Sequence, residues 1–150
     1  MLLGRAAVRR SRTLGRLNMP TGCCGGDGER LIFTCAGAAY SGQVANRSGV
    51  QIMEQGIGNL FCIAAVAAEV QEKMDRVRNA AVRVAIDGCE DQCVRKTPKK
   101  AGLTAEVHVV LTDMGIEKKP ARPNMITDAK KVVDAVKNRL GVAPTAGCCT

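Results

Sequence analysis

In "VAIDGCEDQC", residues 84–93, an apolar run stops at Asp87-Gly88 and two cysteines follow four positions apart. Six more cysteines occur in the 150 residues, at Cys23, Cys24, Cys35, Cys62, Cys148 and Cys149. Thiolates bind soft metals and attack disulfides and oxidants. The spacing of Cys89 and Cys93 fits one turn of helix, which would aim both sulfurs at one ion. Zinc takes four such ligands in a tetrahedron, with sulfur at about 2.3 Å. A helix N-terminus would favour the thiolate form that a metal needs. Arg95, Lys96, Lys99 and Lys100 follow and would offset the surplus negative charge of a four-thiolate site. Cysteine is also among the most buried residue types, so spacing alone leaves metal ligation and plain core packing level.

Other cysteine chemistries fit less well. Cys89 and Arg95 satisfy Cys-x5-Arg, the spacing of a phosphate-cradling loop, but Glu90 and Asp91 would put two carboxylates inside the cradle. Like charge there opposes an anion. A cysteine nucleophile also wants a base. The one histidine, His108, lies within "VHVV", where a strand residue facing solvent or a helix is expected. No catalytic residue is assigned, and a binding module is expected rather than an enzyme. Cys23-Cys24 and Cys148-Cys149 are adjacent pairs near glycines. Neighbouring α-carbons about 3.8 Å apart suit ordinary disulfide geometry poorly. These pairs read either as accessory dithiols open to soft ions or as idle thiols on tails. A thiol-based carrier or redox accessory for soft metals or metalloids (arsenite, mercury, selenium) is therefore the second functional reading. An iron–sulfur cluster stands behind zinc as cofactor.

Composition narrows the field. The net charge is +8, yet the first 18 residues carry five arginines and no acid, so the remainder holds only +3. Only Phe33, Tyr40 and Phe61 are aromatic. A nucleic-acid surface would need basic residues interleaved with stacking rings, and none is expected. No apolar run approaches the roughly 20 residues of a membrane span. The leader lacks the apolar stretch of a secretory signal; it resembles an organelle transit peptide somewhat, but is read as a disordered extension, with Met19 a candidate working start. A cytoplasmic, reducing location is expected, with thiols used for metal or redox chemistry rather than structural disulfides.

The elements that must position these thiols alternate between strand and helix. "RLIFTC" (30–35), "AVRVAI" (81–86) and "AEVHVVLTD" (105–113) read as strands. Residues 41–55 read as a helix capped by Ser41. Residues 59–80 read as one long helix with Ile63, Val66, Ala67, Val70, Met74 and Val77 on its apolar stripe. Glu69–Lys73 and Glu72–Arg76 would be i,i+4 pairs on it. A short helix after Cys93 should kink or end before Pro98. Residues 127–140 form the last helix, stopped by Gly141. Strands joined by helical crossovers predict an α/β fold: a small three-layer domain around a mostly parallel sheet of about three or more strands. Ligand sites in such sheets lie beyond the carboxyl ends of the strands. Cys35 and Cys89 fall there, and Cys62 and Cys93 fall in the first turns of helices.

"TCAGAAYSGQVANRSG", "LFCIAA" and "IDGCEDQC", with "LTDMGIEK" running up to Lys118, resemble the DGC-domain family, to which zinc binding is ascribed. That family is named for the Asp-Gly-Cys triplet, here Asp87-Gly88-Cys89. The resemblance spans about residues 30–120 and implies metal ligation by Cys35, Cys62, Cys89 and Cys93. It departs at Ala36, where the family's serine is expected, and at Pro98. Asp87, Lys96 and Lys118 are the candidates for support around those ligands. Asp87 reads equally well as turn chemistry, and Gly88 as a residue allowing a backbone conformation closed to others. The organisation expected is a basic, Cys/Gly-rich leader over 1–29, a metal-binding α/β domain over 30–141 and a flexible tail over 142–150.

Overall fold

The structure, a computed structural model, describes residues 28–120 and 124–142. Two short runs dense in branched apolar residues form its centre. β1 (Arg30–Thr34) pairs parallel with β3 (Val82–Asp87), from Arg30 opposite Val82 to Thr34 opposite Ile86. β4 (Val107–Val110) extends the sheet beyond β3, with Ala85 opposite His108 and Asp87 opposite Val110. A two-residue strand, β2 (Asn59–Leu60), pairs with β1 on the other side. The sheet is parallel throughout, in the order β2-β1-β3-β4.

Alternation along the strands divides the apolar residues between two cores. Ile32, Val84, Ile86, Val107 and Val109 face α1 (Tyr40–Glu54) and α5 (Met125–Leu140), whose Ala129, Val132, Val133 and Val136 are buried. Leu31, Phe33 and Ala85 face α2 (Ile63–Ala67), α3 (Gln71–Asn79) and α4 (Cys93–Lys100). The expected three-layer α/β domain is therefore present. The α5 stripe and its stop are as read from the sequence, with Gly141 at φ 66°.

The long helix over 59–80 is not formed. Leu60 and Phe61 are drawn to the sheet edge, where the Phe61 amide donates to Ile32 O at 2.8 Å. The Phe61 ring packs edge-on to Phe33, centroids 5.7 Å apart. Glu69 then turns left-handed, φ 53°, and separates α2 from α3. The single stripe is broken accordingly: Val66, Met74 and Val77 are buried, whereas Ala67 and Val70 are exposed. Arg76 pairs with Glu29 ahead of β1 rather than with Glu72, and lies over the Phe61 ring.

Two helix boundaries also differ from expectation. α1 begins at Tyr40 with no side-chain cap, because the Tyr40 amide donates to Lys119 O from a distant loop, and Ser41 is buried inside the helix. α4 runs through Pro98 to Lys100 before Gly102, at φ 74°, ends it. The amides of Ala101 and Leu103 both donate to Pro98 O there.

Candidate metal centre

Parallel strands put all their carboxyl ends on one edge, and the cysteines within the described residues follow those ends. Cys35 comes immediately after β1, and its amide donates to Ile86 O of β3 at 2.9 Å. Cys62 comes two residues after β2, at the N-cap of α2. Cys89 comes two residues after β3, and Cys93 is the first residue of α4. Strand neighbours are about 4.8 Å apart. All four are free thiols; Cys35 and Cys89 are half-buried, and Cys62 and Cys93 are exposed. The edge lies where the order of strands reverses between β1 and β3, the position at which open α/β sheets bind ligands.

The side chains are less gathered than the backbone. Among the described residues, no three His, Cys, Asp or Glu side chains stand close enough together to hold a metal ion. Cys89 and Cys93 do not share a helical turn. The Gln92 amide donates to Cys89 O across a tight turn, Gln92 adopts φ 50°, and only then does α4 start. Cys23, Cys24, Cys148 and Cys149, with the expected leader up to residue 27 and the tail from 143, lie outside the described residues.

The reason α4 starts where it does is Asp87. Its side chain is buried, 2% exposed, and accepts the Val94 amide on Oδ1 at 2.8 Å and the Arg95 amide on Oδ2 at 3.1 Å. These are two of the donors that an α-helix leaves unpaired at its start. Gln92 supplies no side-chain cap, so a carboxylate five residues earlier does so. Asp87 is thus more than a turn residue. Oδ2 also lies 3.0 Å from His108 Nε2. His108 sits on β4 beside Ala85, and its ring reaches diagonally across the sheet to Asp87. The sequence alone leads one to expect in His108 only a strand residue facing solvent or a helix. The contact follows from the parallel register of β3 against β4, which neither segment signals by itself.

Gly88 earns its place by contact and not by conformation, since its φ is not in the left-handed region. A Cβ on it would meet the backbone of Ser41 and Gly42 in the first turn of α1.

The electrostatics around Cys89 run against the expected helix-end activation. Its Sγ lies 3.3 Å from Asp91 Oδ2. The Asp91 backbone amide favours the thiolate, but burial and the Asp91 carboxylate outweigh it, so the thiol is pushed above its ordinary value. Asp91 is held below the usual carboxylate range, first by its hydrogen bond from Lys118 Nζ at 3.0 Å and then by that from Cys89. Lys118 is raised in turn by Asp91. Lys96 is exposed and acts on Asp91 through charge alone. Cys89 is thus a thiol donating to a lysine-paired carboxylate.

A parallel α/β sheet with free thiols along its switch-point edge defines a thiol-bearing α/β domain. The chain belongs to the DGC domain family, which matches it over residues 31–136. It is 24% identical over 102 residues to the "Anaerobic and virulence modulator AnvM" of Pseudomonas aeruginosa, covering 68% of this chain and 78% of that protein. No solved structure matches it. Among the described residues, no helix is long and apolar enough to cross a membrane.

Proposed function

We propose that the chain is a binding module that holds a soft divalent ion, zinc by preference, through Cys35, Cys62, Cys89 and Cys93. The observation that carries this reading is the succession of four free thiols along the carboxyl edge of three neighbouring parallel strands. The donor set fits such an ion in kind, since soft thiolates select it over harder cations. Cys62 and Cys93 are exposed, so their side chains are free to change rotamer, and binding would require them to turn toward the half-buried Cys35 and Cys89. A bound ion would cross-link the ends of β1, β2 and β3. Asp87 holds the start of α4, Asp91 takes the Cys89 hydrogen, and Lys118 holds Asp91 in place. The Pseudomonas aeruginosa relative is named as a modulator and not after a reaction, in keeping with a binding role.

Elemental analysis of anaerobically purified protein, with thiols counted before and after chelation, tests the reading. A colourless protein with one zinc per chain, and four thiols that become reactive on its removal, is expected. Serine at any of the four positions should release the metal. A metal-free native protein, or metal retained by all four serine variants, overturns the proposal. A brown protein would point to iron and sulfide instead.

A further inference from the structure

We infer that His108 is a positioning residue for the metal centre, acting through Asp87 to fix the first turn of α4 and with it Cys93. The inference rests on the metal-binding reading above. Cys93 immediately precedes the two amides that Asp87 holds, and its carbonyl accepts Thr97 Oγ1 at 2.7 Å. Its backbone cannot shift relative to β3 without breaking the Asp87 contacts. The distance between Cys93 and Cys89, which flank the Gln92 turn, is therefore set by the orientation of the Asp87 carboxylate.

That carboxylate is fixed from one side by α4 and from the other by His108. A buried carboxylate has two oxygens to satisfy, and its third hydrogen bond, from His108 Nε2, comes from a different element. The His108 side chain is 17% exposed and rooted in β4 by the pairing with β3. Ring, carboxylate and helix start form one chain of contacts, from the sheet face to the thiol-bearing edge. Partners that orient metal ligands from behind typically contribute about 10–100-fold in metal affinity.

Three full-length proteins test this: wild type, His108→Gln and His108→Leu. The glutamine Nε2 reaches about as far as the ring Nε2 and keeps a donor; leucine fills space without one. Zinc affinity is read by competition with a chromogenic chelator. Amide exchange at Val94 and Arg95 is read in the metal-free proteins, with thermal midpoints alongside. His108→Leu should bind zinc about tenfold or more weakly and exchange both amides faster, while His108→Gln behaves as wild type. Wild-type affinity or wild-type exchange in His108→Leu overturns the inference, as does a His108→Gln protein as impaired as His108→Leu. If His108→Leu does not fold, His108→Asn, whose amide is too short to reach, takes its place. Should wild type take up no zinc, the metal-binding reading fails, and exchange at Val94 and Arg95 still decides whether His108 acts on α4 through Asp87.

Discussion

A Cβ built on Gly88 would stand 2.9 Å from the Gly42 amide nitrogen and 3.0 Å from the Gly42 Cα. The turn that carries Cys89 and the first turn of α1 therefore touch backbone to backbone. A Cβ on Gly42 would in turn lie 2.7 Å from Gly37 O, in the loop that follows Cys35. Three glycines from separate segments stack, and their stacking brings the Cys35 and Cys89 loops against one helix end. Gln43 secures the arrangement by donating from Nε2 to Gly37 O at 2.8 Å.

Gly88→Ala should accordingly destabilise the protein by about 1–3 kcal/mol, the usual cost of forcing extra volume into a packed site. The clashing atoms are backbone, so no side-chain rotation relieves them. The check is the urea midpoint of the metal-free variant. A midpoint equal to wild type would mean that α1 has room to retreat, and that the triplet's glycine is not there for packing.

Asp87→Asn is expected to cost about 1–3 kcal/mol, because a carboxamide offers one acceptor oxygen where the carboxylate offers two. Either the Val94 or the Arg95 amide then faces an NH2 group and is left unpaired. The same substitution at exposed Asp91 removes no such cap and should leave the urea midpoint unchanged. Equal midpoints for the two variants would contradict the capping role given to Asp87.

Those two positions also measure how far the sequence could be read. The apolar runs ending at Thr34 and Asp87 and the stripe ending before Gly141 are local signals, and each appears as an element close to where its pattern lies. The run 59–80 misled because its helical period persists through Phe61 and Glu69. Two non-local facts override it: a place on the sheet edge for Leu60, and a left-handed turn at Glu69. The edge shared by Cys35 and Cys89 was legible from strand order, whereas the short strand β2 that brings Cys62 to it was not. The Asp87–His108 contact was not, since it depends on the register of β3 against β4, which no spacing within either segment reveals.

Tyr40 ties the two helices of one layer together, donating from Oη to Asp128 Oδ2 at 2.8 Å. Tyr40→Phe should cost about 1 kcal/mol, the typical net worth of one hydrogen bond. Its acid sensitivity should change as well. Lys131 first, and then Tyr40, hold the Asp128 carboxyl below its ordinary value. A depressed carboxyl contributes stability that is present above the unfolded value, about 3.9 for aspartate, and is lost as pH falls through the folded one. Losing the tyrosine hydroxyl should flatten this acid-side fall. Thermal midpoints recorded at descending pH decide it, and parallel curves for the two proteins would count against the link.

The Cys89–Asp91–Lys118 relay predicts a pH dependence on the alkaline side. With its thiol raised, Cys89 favours the protonated form in the folded protein, so the associated stability is present below the ordinary thiol value. It is lost as pH climbs through the higher folded value. Asp91→Asn removes the carboxylate that accepts the thiol hydrogen and should bring Cys89 alkylation to its half-maximal rate at lower pH. Lys118→Met should move it the other way, because the carboxylate charge then goes unopposed. A metal ion that takes Cys89 must also displace this proton, so zinc affinity should weaken as pH falls. At neutral pH Asp91→Asn should bind zinc more tightly than wild type, because its Cys89 proton is easier to displace, and the two dependences on pH should part only on the alkaline side. Peptide-resolved alkylation and chelator competition at matched pH read both effects. Identical pH profiles for wild type and Asp91→Asn would show that the carboxylate does not control the thiol.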